Sequence, residues 1–489
     1  MTDGSPDLNA ARRAVELDRA SVETVDMLVV GGGITGVGVA LDAASRGLSV
    51  TLIDAHDLAY GTSRFSSKLV HGGLRYLATG DVATAKESAV ERHLLMTRIA
   101  PHLIRPLGQL LPFVPGVTLR QRATGAIGMA LGDLLRVRAG TPRRILPAPR
   151  PVAARTARAL VPALAPQGLR GGMLSFDGQL VDDARLVATV ARTAAAHGAR
   201  ILTRVRALSL SAGGATAEDA LTGGRVDLRA RSVVNATGAW AGTLNDTISI
   251  RPSRGTHIVL DATDLGDPSA ALTIPHEGSI SRFVFALPQH GGRVIVGVTD
   301  DDAPGPVPDV ATPTEAEIAF LLDTLNRVLA TPVTRDRVRG AFTGLRPLVD
   351  SGAGSTADIS RRHLVAESAG GFIDVLGGKL TTYRRMAEDA VDLAVRRRAL
   401  SAGPSRTATL RLVDRAVPHR DSPHASSAPL LDGLALTRAD VEYTVRAEGA
   451  MTAADVLDRR TRAGLVDADR ARLLPVVDAL VAEALAELG

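Results

Sequence analysis

Val29-Val30-Gly31-Gly32-Gly33-Ile34-Thr35-Gly36 decides how this chain folds. The stretch fits GxGxxG, follows the strand-like run Val25–Val30 and opens an apolar helix. Gly31 permits a tight turn, Gly33 lets backbone approach a pyrophosphate, and Gly36 lets helix and strand pack closely. The helix start, at Ile34 and Thr35, offers unpaired N–H groups and the positive end of the helix dipole to phosphates. A second strand, Leu48–Asp54, ends in a carboxylate 18 residues after Gly36, placed to accept from a ribose hydroxyl. Strand, turn, helix, strand and acid together predict a βαβ dinucleotide site. The alternative is a glycine-rich turn in an unrelated α/β sheet.

Three further segments favour FAD over NAD. The run Gly61–Gly73 is dense in hydroxyls and small residues, which suits a long, extended cofactor, and it supplies Thr62, Ser63, Ser66, Ser67, Lys68, His71 and Gly72 as candidate contacts. The run Val233–Trp240 is a strand ending in a small-residue turn, with Ala236, Thr237 and Gly238 as candidates. Val205, in the strand-like run Arg200–Leu210, is a further candidate cofactor contact. In Gly377–Arg384 two glycines precede a helix reaching about Arg398, whose N-terminus can face a negatively charged flavin; Gly378, Leu380 and Thr381 are its candidates. A phosphate-binding P-loop is excluded there, because Ile373 stands where its other glycine belongs and Leu380 replaces the magnesium-holding hydroxyl.

The 489 residues are too many for one hydrophobic core, so two or three domains are expected. With 45% hydrophobic and 22% charged residues the chain is globular rather than disordered. It has no cysteine, which excludes disulfides, iron–sulfur clusters, thiolate metal sites and a cysteine nucleophile. The eleven histidines show no ligand spacing, so no metal is expected. No apolar run reaches the ~18–20 residues of a spanning helix, and the N-terminal stretch has no apolar export core. Only Lys68, Lys86 and Lys379 interrupt an otherwise all-arginine basic set. Charge is also uneven: residues 101–150 hold eight arginines (105, 120, 122, 136, 138, 143, 144 and 150) against Asp133 alone. That segment is +7 in a chain of +5.

Elsewhere the pattern predicts helices over residues 81–100 and Val181–Gly198, a hairpin of Arg200–Leu210 with Arg225–Val234, and strands within residues 251–300. A capping box with Pro at the first helical position starts a helix at Thr312-Pro313-Thr314-Glu315. Thr437…Asp440 and Thr452…Asp455 cap helices in the tail. Residues 1–24 read as a helical lead-in or loose arm, 401–434 as a linker, and 101–170 resist assignment.

The runs VVGGGITGVGVALDAASRG, GTSRFSSKLVHGGLRYL, GQLVDDARL, VVNATGAW, RGTHIVL, GLRPLVD and GGKLTTYR, in this order, resemble the FAD-dependent glycerol-3-phosphate dehydrogenases over residues 24–395, and DVLDRRTRAGL is similar to their helical tail. The resemblance implies an α/β flavoprotein with an FAD-binding domain of the glutathione-reductase/amino-acid-oxidase type. It also implies an antiparallel-sheet (α+β) cap and a helical C-terminal domain. On that pattern residues 20–75, 170–250 and 338–400 form the FAD domain, 76–169 and 251–337 the cap, and 435–489 the helical domain. The implied reaction oxidises sn-glycerol 3-phosphate to dihydroxyacetone phosphate by hydride transfer from C2 to flavin N5, with electrons passed to membrane quinone. Asp54 stands where the family usually has Glu.

That reaction needs cations for a phosphate, a base for the C2 hydroxyl and a fixed approach to the flavin. Arg75, Arg346 and Lys379 match substrate positions of the family, and Tyr76 and Arg361 lie in the same motifs. His257 is the candidate base; the rival reading is a hydrogen-bonded structural histidine. His71 can touch the flavin without doing chemistry, and Trp240 reads as packing. The basic segment, with LLPFVPGV and ATGAIGMALGDLL embedded in it, suits an anionic membrane surface, or else is a solvated arginine-rich loop. Nucleic acid is disfavoured, Phe113 being the segment's one aromatic. A cytoplasmic protein held peripherally at the inner face of the membrane is expected, with a homodimer left open. The rival functions are an oxidase of the same fold that uses O2 and a non-catalytic FAD-containing basic binding protein.

Overall fold

A computed structural model describes residues 4–488 except 74–80, 116, 278–281, 350–361 and 415–427. The strand Thr24–Val30 is central in the first sheet, pairing in parallel with Val50–Asp54 on one side and Arg225–Asn235 on the other. The sheet continues through Arg200–Thr203 at one edge and Ile373–Leu376 then Leu364–Glu367 at the other. Strand alternation divides its side chains between two cores. Met27 and Val29 meet the helices Ile34–Ser45, Asp183–Ala196 and Tyr383–Arg398. Leu28 and Val30 face Ala20 and Leu17 of the N-terminal helix Ala10–Val22, together with Val205 and Leu228. Small residues bring the helices close: a Cβ on Gly38 would lie 2.8 Å from the Tyr383 ring.

Among the described residues the second sheet has ten strands and is antiparallel except where Ala271–Pro275 runs beside Ile104–Pro112. Ile250–Asp261 is its longest strand, with Gly340–Val349 on one side and Arg293–Gly297 on the other. Gly172–Leu180 and Gly340–Val349, which fall in segments expected in the FAD domain, hydrogen-bond into this sheet instead. In Gly172–Leu180 the alternation of Leu174 and Phe176 with Ser175, Asp177 and Gln179 suits a two-faced antiparallel strand better than a buried parallel one.

Several local expectations shift by a few residues. The loop 211–224 contains its own strand, Gly214–Asp219, so the predicted hairpin is a three-stranded meander. The cap expected at Thr312 forms at Thr314, whose box partner is Glu317. Both threonines fit the pattern; Glu317 wins because its carboxylate also takes Arg254 at 2.9 Å and Thr256 at 2.7 Å. Part of the expected linker is packed: Thr407 donates to buried Asp42 at 3.1 Å, and the Leu412 N–H donates to the Ile99 carbonyl at 2.9 Å. Within residues 101–170 the strand Ile104–Pro112 and the helix Leu119–Arg138 emerge. The tail packs Arg438–Glu448 against Asp467–Ala486, and both tail capping boxes form as expected.

Candidate active site

A cavity of about 710 Å³ opens between the two sheets. One end is built from backbone. Gly31 has φ +114°, and a Cβ there would lie 2.5 Å from the Ala236 carbonyl oxygen. Gly33 is the N-cap of the helix Ile34–Ser45 and supplies no side-chain cap, so the helix start opens into the cavity. Ser63 Oγ accepts from the Ile34 N–H at 2.9 Å. Asp54 accepts from the Gly32 N–H at 2.6 Å and the His56 N–H at 2.7 Å, while burial pushes its carboxyl up to about 6. Thr237 is held by Asn235, which in turn donates to Asp374 at 2.8 Å.

The expected cofactor contacts Gly31, Gly33, Ile34, Thr35, Asp54, Thr62, Ser63, Ser66, Ser67 and His71 all line this cavity. So do Ala236, Thr237, Gly238, Gly378, Leu380 and Thr381. A turn that tolerates no Cβ, an open helix start and an acid at the end of the second strand fit a dinucleotide such as FAD.

The other end is built from side chains. His257 on Ile250–Asp261 is fully enclosed, with Nε2 2.8 Å from Ser67 Oγ and its ring stacked on Phe342 at 4.8 Å. A Cβ on Gly297, opposite it in the sheet, would come within 2.1 Å of the ring, so that position must be bare. Burial first, then the charges of Lys68 and Arg346, depress the imidazole to about 3, so the ring is neutral. Arg346 lies over Gly255, two residues from His257 on the same face of the strand, where a Cβ would lie 2.5 Å from its guanidinium. It donates to the Arg254 carbonyl at 3.0 Å and the Thr299 carbonyl at 3.1 Å, and reaches Asp300 at 3.3 Å. Lys379 donates to Ser88 Oγ. His257, Arg346 and Lys379, 122 positions apart in sequence, face one space.

Four expected contacts are elsewhere. Gly36 is a packing glycine whose Cβ would sit 1.8 Å from the Gly31 carbonyl oxygen. Lys68 points away from the cavity and is buried against Asp183 and the Arg64 carbonyl, each at 2.7 Å. Gly72 is pressed against the Arg92 guanidinium, which pairs with Asp177 at 2.6 Å. Val205 is core, and its neighbours Arg206 and Ala207 reach the cavity instead. Arg75, Tyr76 and Arg361 lie outside the described residues. The cavity also uses residues that no motif singled out: His56, Tyr60, Gln109, Asp177, Arg206, Phe285 and Asp300. Trp240, expected to be packing only, both covers Gly61 and lines the cavity. Its place in the Val233–Trp240 run was the available signal.

The FAD dependent oxidoreductase family matches residues 26–384, and the C-terminal domain of alpha-glycerophosphate oxidase matches residues 407–487. Glycerol-3-phosphate dehydrogenase 1 of Mycobacterium tuberculosis is 49% identical, covering 96% of this chain and 97% of the relative. The structure of the glycerol-3-phosphate dehydrogenase from Bacillus halodurans complexed with FAD superposes with a TM-score of 0.71 at 25% identity, over 99% of this chain and 94% of that one. An L-alpha-glycerophosphate oxidase from Mycoplasma pneumoniae with FAD bound shares the fold, with a TM-score of 0.61 at 17% identity over 80% of this chain and 100% of that one.

Proposed function

This chain belongs to the FAD-dependent oxidoreductase family and, within it, to the glycerol-3-phosphate dehydrogenases, and from that premise we propose that it oxidises sn-glycerol 3-phosphate to dihydroxyacetone phosphate and passes the electrons to a membrane quinone. The observation that carries the substrate reading is the meeting of Arg346, Lys379 and His257 in the cavity that holds the glycine turn. Gly31, Gly33, Ser63, Asp54 and Thr237 would hold FAD, which supplies the hydride acceptor when bound.

Arg346 offers a planar fork and Lys379 a point charge, a pairing suited to a phosphate dianion and to a nascent alkoxide. His257, neutral in the free protein, can accept the C2 hydroxyl proton at Nε2, the atom Ser67 now contacts. A phosphate against Arg346 would offset one of the two cations that depress the ring, so substrate arrival itself raises the basicity of His257.

The surface supports a membrane-borne acceptor. The helix Leu119–Arg138 lines the cavity with Thr124, Gly125, Gly128 and Met129 and exposes Leu119, Ile127, Leu131, Leu134 and Val137 outward. Arg120 and Arg138 on that helix and Arg143, Arg144 and Arg150 after it are exposed, whereas Arg136 is buried against Asp133 at 2.5 Å. Exposed apolar side chains in a segment rich in exposed arginines suit an anionic bilayer surface. Among the described residues no helix is long and apolar enough to cross a membrane.

The test is anaerobic addition of sn-glycerol 3-phosphate to the purified holoprotein while following flavin absorbance. Bleaching is expected, and its absence overturns the substrate reading. Reoxidation by a quinone analogue in anionic vesicles, and only slowly by air, is expected; fast reoxidation by air makes the protein an oxidase.

A further inference from the structure

Segment 54–68 has two sides. One side lines the cavity with Asp54, His56, Tyr60, Ser63 and Ser67. The other turns its polar groups toward three arginines of the C-terminal domain, within residues 459–462. Asp57, 2% exposed, receives Arg459 Nε at 2.7 Å and the two terminal nitrogens of Arg460 at 2.8 and 3.0 Å. The Arg64 carbonyl accepts from Arg462 at 2.8 Å. Lys68 shares Asp183 with Arg462, whose guanidinium also pairs with Asp182 at 2.9 Å.

The arginines are themselves anchored. Arg459 pairs with Asp455, which Arg204 also holds at 2.6 Å, and Arg460 donates to the Glu448 carbonyl at 2.9 Å. Although burial opposes it, the Arg460 and Arg459 charges keep Asp57 well below the usual carboxylate range. The Arg459 guanidinium also lies 5.7 Å from the centre of the Tyr60 ring, which stacks on His56 at 3.8 Å in the cavity wall.

The backbone adds an independent observation. Ala59, Lys68 and Arg462 carry positive φ (57°, 57° and 65°) without being glycine. Such residues persist only where the surroundings over-determine them. Two of the three lie in the loop and the third lies in the segment that holds it. A loop bent in this way needs support, and 459–462 supplies contacts to Asp57, to the Arg64 carbonyl and to the Asp183 that holds Lys68.

We propose that the C-terminal domain, through Arg459, Arg460 and Arg462, clamps the loop 54–68 in its cofactor-binding shape and thereby sets the affinity of the protein for FAD. These arginines are positioning residues and touch no lining atom of the substrate end. The inference rests on FAD as the cofactor and not on the identity of the substrate. Flavin bleaching by sn-glycerol 3-phosphate in the wild-type protein tests that other reading separately.

The measurement is the FAD dissociation constant, from the fluorescence of flavin released on diluting the holoprotein. Arg462→Met, at the rim of the clamp, is expected to weaken FAD roughly tenfold, and Arg462→Lys to recover most of the loss. Asp57→Asn, which leaves two buried arginines with a neutral partner, is expected to weaken it roughly thirtyfold. At saturating FAD both variants should keep the wild-type KM for glycerol 3-phosphate. Val477→Ala, deep in the C-terminal core, is the control: it should lower the melting temperature yet leave the FAD constant within twofold. If Asp57→Asn yields no folded protein, Arg459→Gln takes its place with the same expectation. The clamp is overturned if the Arg462 and Asp57 (or Arg459) variants bind FAD within twofold of wild type, or if Val477→Ala weakens FAD as much as they do.

Discussion

The two ends of the cavity are made of different material. The glycine end is mostly backbone from 31–36 and 236–238, shaped by the side chains missing at Gly31 and Gly36. The cationic end is side chain, brought by Ile250–Asp261, Gly340–Val349 and the turn before Tyr383–Arg398. A backbone site is broken by adding an atom and a side-chain site by removing one. The first fails all at once because the turn has no slack; the second loses function while the scaffold stands.

The sharpest way to break this contrast is at Gly36. A methyl 1.8 Å from the Gly31 carbonyl cannot be absorbed by a flexible side chain, so Gly36→Ala is expected to lose all bound FAD and most soluble protein. The flavin-to-protein ratio and the yield after purification check this. Arg346→Ala should do the opposite, losing about 10³-fold in kcat/KM while retaining a full complement of flavin. Loss of flavin as well would assign Arg346 to the scaffold and erase the contrast. His257→Asn is expected to lower kcat by about 10², in the range of a general base, with FAD again retained. Asp54→Ala tests whether the glycine end includes any side-chain contribution. It should weaken FAD roughly tenfold and leave kcat at saturating FAD unchanged, since two backbone N–H groups lose their acceptor.

The buried imidazole also links stability to pH. Its folded value of about 3 lies below the ordinary 6.5, so under acid the unfolded chain takes a proton that the folded one refuses. From pH 6.5 down toward 3, wild-type unfolding free energy should therefore fall by up to about 1.4 kcal/mol per pH unit more than that of His257→Asn. Denaturant titrations at pH 7 and 5 compare the two slopes. An equal slope would place His257 in contact with solvent and remove it from the closed end.

The same difference in material explains how far the sequence could be read. The glycine turn, Asp54 and the tail caps at Thr437 and Thr452 are contiguous signals, because each is a local backbone requirement. Lys379 and Arg346 stood out only within motifs, and the meeting of Arg346 with His257 depends on strand register between two distant segments. Lys68 misled because its motif is real while its side chain serves Asp183 on the far side of the loop. The helix Leu119–Arg138 was illegible because Gly125 and Gly128, which face the cavity, depress helix propensity where the pattern would otherwise show. Arg206, His56 and Asp300 had no sequence signal, being ordinary polar residues until the fold turns them inward.

The central position of Thr24–Val30 bears on how the protein is made. That strand is followed closely by its partner Val50–Asp54, but its other partner, Arg225–Asn235, comes about two hundred residues later. At typical synthesis rates an open, strongly apolar strand edge waits on the order of 10–40 s for cover. The cavity wall runs from Val30 to Met386, so a nascent chain shorter than that lacks part of it. The cavity is therefore complete only once both sheets and the start of the helix Tyr383–Arg398 have been made.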